Sequence, residues 1–110
     1  MSIFKLETID DKSILTISDS IFPDNGNQFS DVLEKAVSAK SRLLIIDLSK
    51  VSIIYSLGIT VLVKTTLAAK SSNIKLVLVG VQENVMKVFK LCRFDTLFQF
   101  APTLEDALKG

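Results

Sequence analysis

The sequence predicts an α/β fold, a mixed and mostly parallel β-sheet of about five strands with about four helices packed on it. Three observations carry this expectation. Two short apolar runs, residues 43–46 (LLII) and 75–79 (KLVLV), have the length and composition of covered strands. Stretches with apolar residues every three or four positions separate them. Two β-rich runs flank a polar turn at the N-terminus.

In chain order, Phe4, Leu6 and Thr8 alternate with Lys5 and Glu7, and Ile14-Leu15-Thr16-Ile17 follows the turn Asp10-Asp11-Lys12, which reads as a β-hairpin. Pro23, Asn25 and Gly26 break the pattern before a helix whose inner face is Phe29, Val32, Leu33, Ala36 and Val37. The strand at residues 43–46 stops at Asp47, and a second apolar cluster, residues 51–54, is a candidate short strand. From Ser56 to about Ser71 the spacing of Leu57, Val61 and Ala68, and of Ile59, Leu62, Val63, Thr66 and Leu67, fits a largely buried helix. The strand at 75–79 ends at Gly80, and Val85, Val88, Phe89 and Cys92 mark the inner face of the next helix. Residues 97–100 read as a short edge strand. Thr103 with Asp106 three residues on resembles a capping box before a short final helix. The order is β-β-α-β-(β)-α-β-α-β-α, and helices between strands imply right-handed crossovers.

With 110 residues the chain is expected to form one domain, residues 1–110. Hydrophobic residues make up 48% and charged ones 23%, enough to supply a core. Thirteen Lys and Arg against twelve Asp and Glu leave a net charge of +1, so no broad field attracts nucleic acid or anionic lipid. There is no His and only one Cys, Cys92, which excludes a Ser-His-Asp triad, a Cys-His pair, a HExxH zinc site and a CxxC couple. The four isolated glycines form neither GxGxxG nor a Walker loop. No metal, cofactor or catalytic residue is expected. Glu7 and Asp10 interrupt the N-terminus where a signal peptide would be apolar, and no run spans a bilayer, so the expected location is cytoplasmic without direct membrane insertion.

The segment from Ile46 to Ile59 carries the chemistry, because a strand runs through a turn into a helix that opens at Ser56 and Gly58. Free N–H groups at such a helix start suit an anion or a partner's carboxylate. Alternatively Ser56 is simply the N-cap and Gly58 a point of close approach. As a nucleophile Ser56 would need Lys64 or Lys70, about 12 Å or more along the same helix. Asp47 is explained by an Asx turn, and Cys92 by a small core position. Ile3, Ile9, Ile21 and Phe22 are candidates either for a homodimer contact or for the core.

Asp47-Leu48-Ser49, Tyr55-Ser56-Leu57-Gly58-Ile59, Lys75-Leu76-Val77-Leu78-Val79-Gly80 and Phe94-Asp95-Thr96-Leu97-Phe98 stand in the order and spacing of the STAS domain family, the fold of bacterial anti-sigma factor antagonists. The chain resembles that family over nearly its whole length. In phospho-switch members a "DSSGL" or "DSTGL" motif opens the helix, and the Ser or Thr before its Gly is phosphorylated by a GHKL-type anti-sigma kinase. The position matching that phosphosite is Leu57, which cannot be phosphorylated, and Tyr55 replaces the motif's Asp. Only Ser56 and Gly58 of the four remain.

The resemblance implies a STAS-like fold and a non-catalytic regulator. It would bind a GHKL-type anti-sigma factor or other STAS-interacting protein through Tyr55, Ser56, Leu57, Gly58, Ile59 and Thr60, with Tyr55, Leu57 and Ile59 as exposed apolar contacts. The alternative is a non-switching STAS subunit that scaffolds a signalling complex or a lipid or anion transporter. A phospho-switch moved to Ser52, Ser56 or Thr60 is a further possibility, Thr60 being the best acceptor if its face is exposed.

Overall fold

The computed structural model describes residues 2–109. Strand β1 (Phe4–Ile9) turns back through Asp10, whose φ is 56°, into β2 (Lys12–Ile17). A 3-10 turn (Pro23–Asn25) leads into α1 (Gly26–Ser38), followed by β3 (Leu43–Asp47), α2 (Ser56–Ser71), β4 (Lys75–Val79), α3 (Glu83–Leu91), β5 (Gln99–Ala101) and α4 (Leu104–Lys109). The five strands lie in sequence order, β1 and β2 antiparallel and every later pair parallel. This is the mixed sheet with four helices that the sequence predicts.

The alternation of the strands decides which helices cover which face. Leu15, Ile46 and Leu78 stand side by side across the sheet and are wholly buried, facing α1, α2 and α3. Phe29, Leu33 and Ala36 of α1 and Val85 and Phe89 of α3 pack on that layer. The opposite rows, Leu43 and Ile45 with Val77 and Val79, are buried beneath Ala107 of α4. Residues 43–46 and 76–79 are apolar throughout because both faces of the central strands are covered.

Several expectations are corrected. Residues 51–54 form no strand; Val51 and Ile54 are buried loop residues, and the only pairing is a single parallel bridge from Ile54 to Ile21. The edge strand is Gln99–Ala101, because the chain first turns through Phe94 to Phe98 to place the Phe98 ring on Phe89 and the Phe94 ring on Phe98. Cys92 caps the C-terminus of α3 and is exposed, the helix having ended one residue earlier at Leu91. Leu57, Leu67 and Ala68 are also exposed, so α2 has one open face. Of the four apolar residues considered for core or dimer contact, Ile21 is buried, Ile3 half-buried, and Ile9 and Phe22 exposed.

The Asx turn after β3 forms as expected, with Asp47 Oδ1 accepting the Ser49 N–H at 2.9 Å. Thr103 Oγ1 accepts the Asp106 N–H at 3.1 Å and donates to Asp106 Oδ2 at 3.0 Å at the start of α4. Beside the hairpin, Arg42 Nε donates to Asp11 Oδ2 at 2.7 Å, which holds the Asp11 carboxyl below its ordinary range.

Gly80 closes β4 with φ at +66°, and a Cβ there would stand 2.8 Å from Ser49 Cβ and 3.2 Å from Ser49 Cα. Backbone cannot retreat as a side-chain tip would. Gly80→Ala is therefore expected to lower unfolding free energy by about 1–3 kcal/mol, read as a lower urea midpoint at constant m-value; an unchanged midpoint would show that the Asp47–Ser49 turn yields freely.

Candidate functional site

The site is assembled from two segments far apart in sequence, the exit of β2 and the loop before α2. Ser20 Oγ accepts the backbone N–H groups of Ser52 and Ile53 at 3.3 and 3.1 Å and shares a hydrogen bond with Ser52 Oγ at 3.0 Å. The Ile21 N–H donates to Ile53 O at 3.0 Å, and the Tyr55 N–H returns to Ile21 O at 3.4 Å. The loop thus runs as a short extended stretch beside residues 20–22, anchored below by buried Leu48, Val51 and Ile54.

That pairing sets where the helix begins. Tyr55 is extended, with φ −88° and ψ 166°, and serves as N-cap without a side-chain cap hydrogen bond. Ser56 is the first helical residue, not the cap expected from the sequence. Its carbonyl accepts the Thr60 hydroxyl at 3.0 Å. No acidic residue lies in the first turn of α2, so its N-terminal N–H groups have no carboxylate of that turn beside them.

Gly58 is buried where the helix meets the Ile21–Ile54 bridge, and a Cβ there would lie 2.9 Å from Ile54 Cγ1 and 3.2 Å from Ile21 Cγ2. The close approach expected of this glycine is therefore present. Ile59 is 5% exposed and belongs to the core, which corrects its expected role as an exposed contact.

The exposed members are Tyr55, Ser56, Leu57 and Thr60, and two further residues join them. Tyr55 and Leu57 are each 46% exposed, Ile53 45% and Phe22 38%, and the Phe22 and Tyr55 rings lie 5.7 Å apart. The outcome is an apolar patch at one end of the domain, wrapped around the start of α2. Leu57 leans on Gly26, the first residue of α1, where any Cβ would collide with its side chain. From the sequence Ile53 reads only as part of the 51–54 apolar cluster and Phe22 only as a dimer or core candidate; their neighbourhood follows from the Ser20 and Ile21 hydrogen bonds. Among the described residues, no three of His, Cys, Asp and Glu gather as a metal cage, and no helix is long and apolar enough to cross a membrane.

The STAS domain profile matches residues 4–107, which includes every element that shapes this patch. The chain belongs to the STAS domain family. Its fold is shared with an anti-sigma factor antagonist from Mycobacterium paratuberculosis, at a TM-score of 0.86 and 24% identity over 96% of this chain and 90% of that one. A Thermotoga maritima protein assigned as an anti-sigma factor antagonist superposes with a TM-score of 0.88 and 24% identity, covering 96% and 92% of the two chains. The same fold recurs in the murine anion transporter Solute Carrier 26 family member A9, with a TM-score of 0.79 and 22% identity; there 94% of this chain matches only 18% of the transporter. Within the STAS frame, the quoted motif from Tyr55 to Ile59 is the cap and first turn of α2.

Ser20 is the residue that ties the patch to the sheet. Ser20→Ala leaves the Ser52 and Ile53 N–H groups without their acceptor, with an expected loss of about 1–3 kcal/mol of stability. Hydrogen exchange at Ile53 and Tyr55 is expected to rise more than in β3 or β4; equal acceleration everywhere would reduce Ser20 to a general stability residue.

Proposed function

We propose that this STAS chain is a non-catalytic protein-binding regulator of the anti-sigma factor antagonist kind. It engages a GHKL-type anti-sigma factor or similar kinase-like partner through the surface at residues 55–60, widened by Ile53 and Phe22. The observation that carries the reading is the exposed apolar patch at a helix start that bears no charge of its own. Tyr55, Phe22 and Leu57 have the size and exposure of interface anchors, and the loop that leads into Tyr55 is held from behind by Ser20.

On the residue correspondence drawn from the sequence, Leu57 stands at the phosphorylated position of switching relatives. A phosphate there would carry about −1.5 to −2 charges, tolerated by the free domain at a helix N-terminus but costly when docked dry against a partner. An unpaired charge of that kind costs about 2–5 kcal/mol in binding, a loss of about 30-fold to several-thousand-fold. Leu57 lacks that off-state and acts as a permanently unmodified contact. Thr60 is exposed, but its hydroxyl is engaged by the Ser56 carbonyl, and that of Ser52 by Ser20.

A second reading, a STAS subunit that scaffolds a signalling complex or a lipid or anion transporter, rests on the shared fold with a segment of the murine anion transporter. The identity of the partner separates the two.

Leu57→Glu is expected to abolish retention of a kinase-like ATPase from native extract on the immobilised protein while changing unfolding free energy by less than about 1 kcal/mol, since the side chain is half exposed. Capture of a transporter ATPase or scaffold instead would favour the second reading, and identical captures by both proteins would remove the patch from the interface. Protein isolated from its own cells is expected to show the unmodified intact mass in every growth state; an added phosphate would return a switch to this surface.

A further inference from the structure

The open face of α2 does not end at the apolar patch. Helices α1 and α2 each lead from one strand to its parallel neighbour, so they run side by side in the same direction. Their first turns touch at Gly26 and Leu57. Between them lies an open groove of about 470 Å³, whose apolar lining includes Leu33, Val37, Leu57, Val61 and Ala68.

Only two of the lining residues are charged, Glu34 on the α1 bank and Lys64 on the α2 bank. The other α1 charges nearby, Asp31 and Lys35, line a separate hollow on the β1 side. Glu34 lies eight residues beyond Gly26, about 12 Å, and Lys64 seven beyond Leu57, about 10.5 Å, so the two stand at the same height on opposite banks. Both are exposed, and among the described residues neither appears in an ion pair with the other.

We infer that this groove is a self-association face whose occupant is a second copy of the chain. A two-fold axis parallel to the helices, standing outside the molecule over the mid-line of the groove, sets α1 of one copy against α2 of the other. Glu34 then meets Lys64 of the second copy twice, once on each side, and the two apolar floors close on each other. The charge pattern selects this occupant. A partner surface of a single sign gains attraction on one bank and meets repulsion on the other, whereas a copy of the chain answers both banks at once. The face is about three helical turns long, smaller than a standard stable interface, so the dimer forms with rising concentration instead of being permanent. It covers Leu57, and it needs no anti-sigma partner, so it stands or falls separately from the proposed function.

The experiment is sedimentation velocity on the full chain from about 10 µM to about 1 mM, with wild type, Glu34→Lys, Lys64→Glu and an equimolar mixture of the two variants. Wild type is expected to move from monomer toward dimer across this range. Each variant alone places like charges opposite each other twice and is expected to weaken association at least about tenfold. In the mixture a copy with two basic banks faces a copy with two acidic ones, so both contacts again join opposite charges, and association is expected to return to within about threefold of wild type. A wild-type protein that stays monomeric at about 1 mM overturns the proposal and leaves the groove to another occupant, such as an amphipathic helix of a partner. Variants that dimerise like wild type, or a mixture that fails to recover, overturn it equally.

Discussion

The Ser20 hydroxyl accepts two consecutive loop amides, and the whole end of the molecule that carries the exposed apolar patch depends on that joint. The loop from Leu48 to Tyr55 has no strand of its own to supply hydrogen bonds, yet its backbone lies against the core and must find partners. Ser20 and Ile21 provide them, making one more extended rung outside the formal sheet. Because Tyr55 is the last residue of that rung, the direction in which α2 departs is fixed before the helix begins. Tyr55, Leu57 and Ile53 point outward as a consequence of this anchoring, since the alternate residues Ile54 and Gly58 are committed to the interior.

The same joint explains how a well-anchored apolar patch coexists with an open helix start. Ordinarily an N-cap side chain or an acid in the first turn would satisfy the N-terminal amides. Here neither is present, and the orientation that such a cap would supply comes from backbone pairing behind the loop. Aromatic and aliphatic side chains, Tyr55 and Leu57, flank this helix start. Lys64 and Lys70, the lysines of α2, lie two or more turns along the helix from Ser56.

Most of the architecture was legible because it rests on local periodicity. The central strands are apolar at every position, the helices repeat at three and four, and the N-terminal hairpin has a polar turn. The position of the candidate site on the chain was legible too, from the Gly-containing helix start and its family likeness. What escaped was set by long-range pairing or by single-residue phase. Phe22 and Ile53 meet the patch through hydrogen bonds between residues more than thirty positions apart, which no local pattern encodes. Residues 51–54 have strand-like composition because Val51 and Ile54 are buried, although the stretch is a loop. Ser56 and Cys92 were each misplaced by one position at a helix end, and one residue turns a helical side chain by about 100°, enough to move it from cap to first turn or from core to surface.

Gly26 meets the exposed patch at the underside of Leu57. Its missing side chain is a seat: with it empty, Leu57 settles toward α1 and shows the surface only about half of its area. How far Leu57 protrudes is thus governed from behind, by a residue on a different helix. The exposure of Leu57 is therefore set at the scaffold, in steps the size of a methyl group, while the face itself keeps the same amino acids.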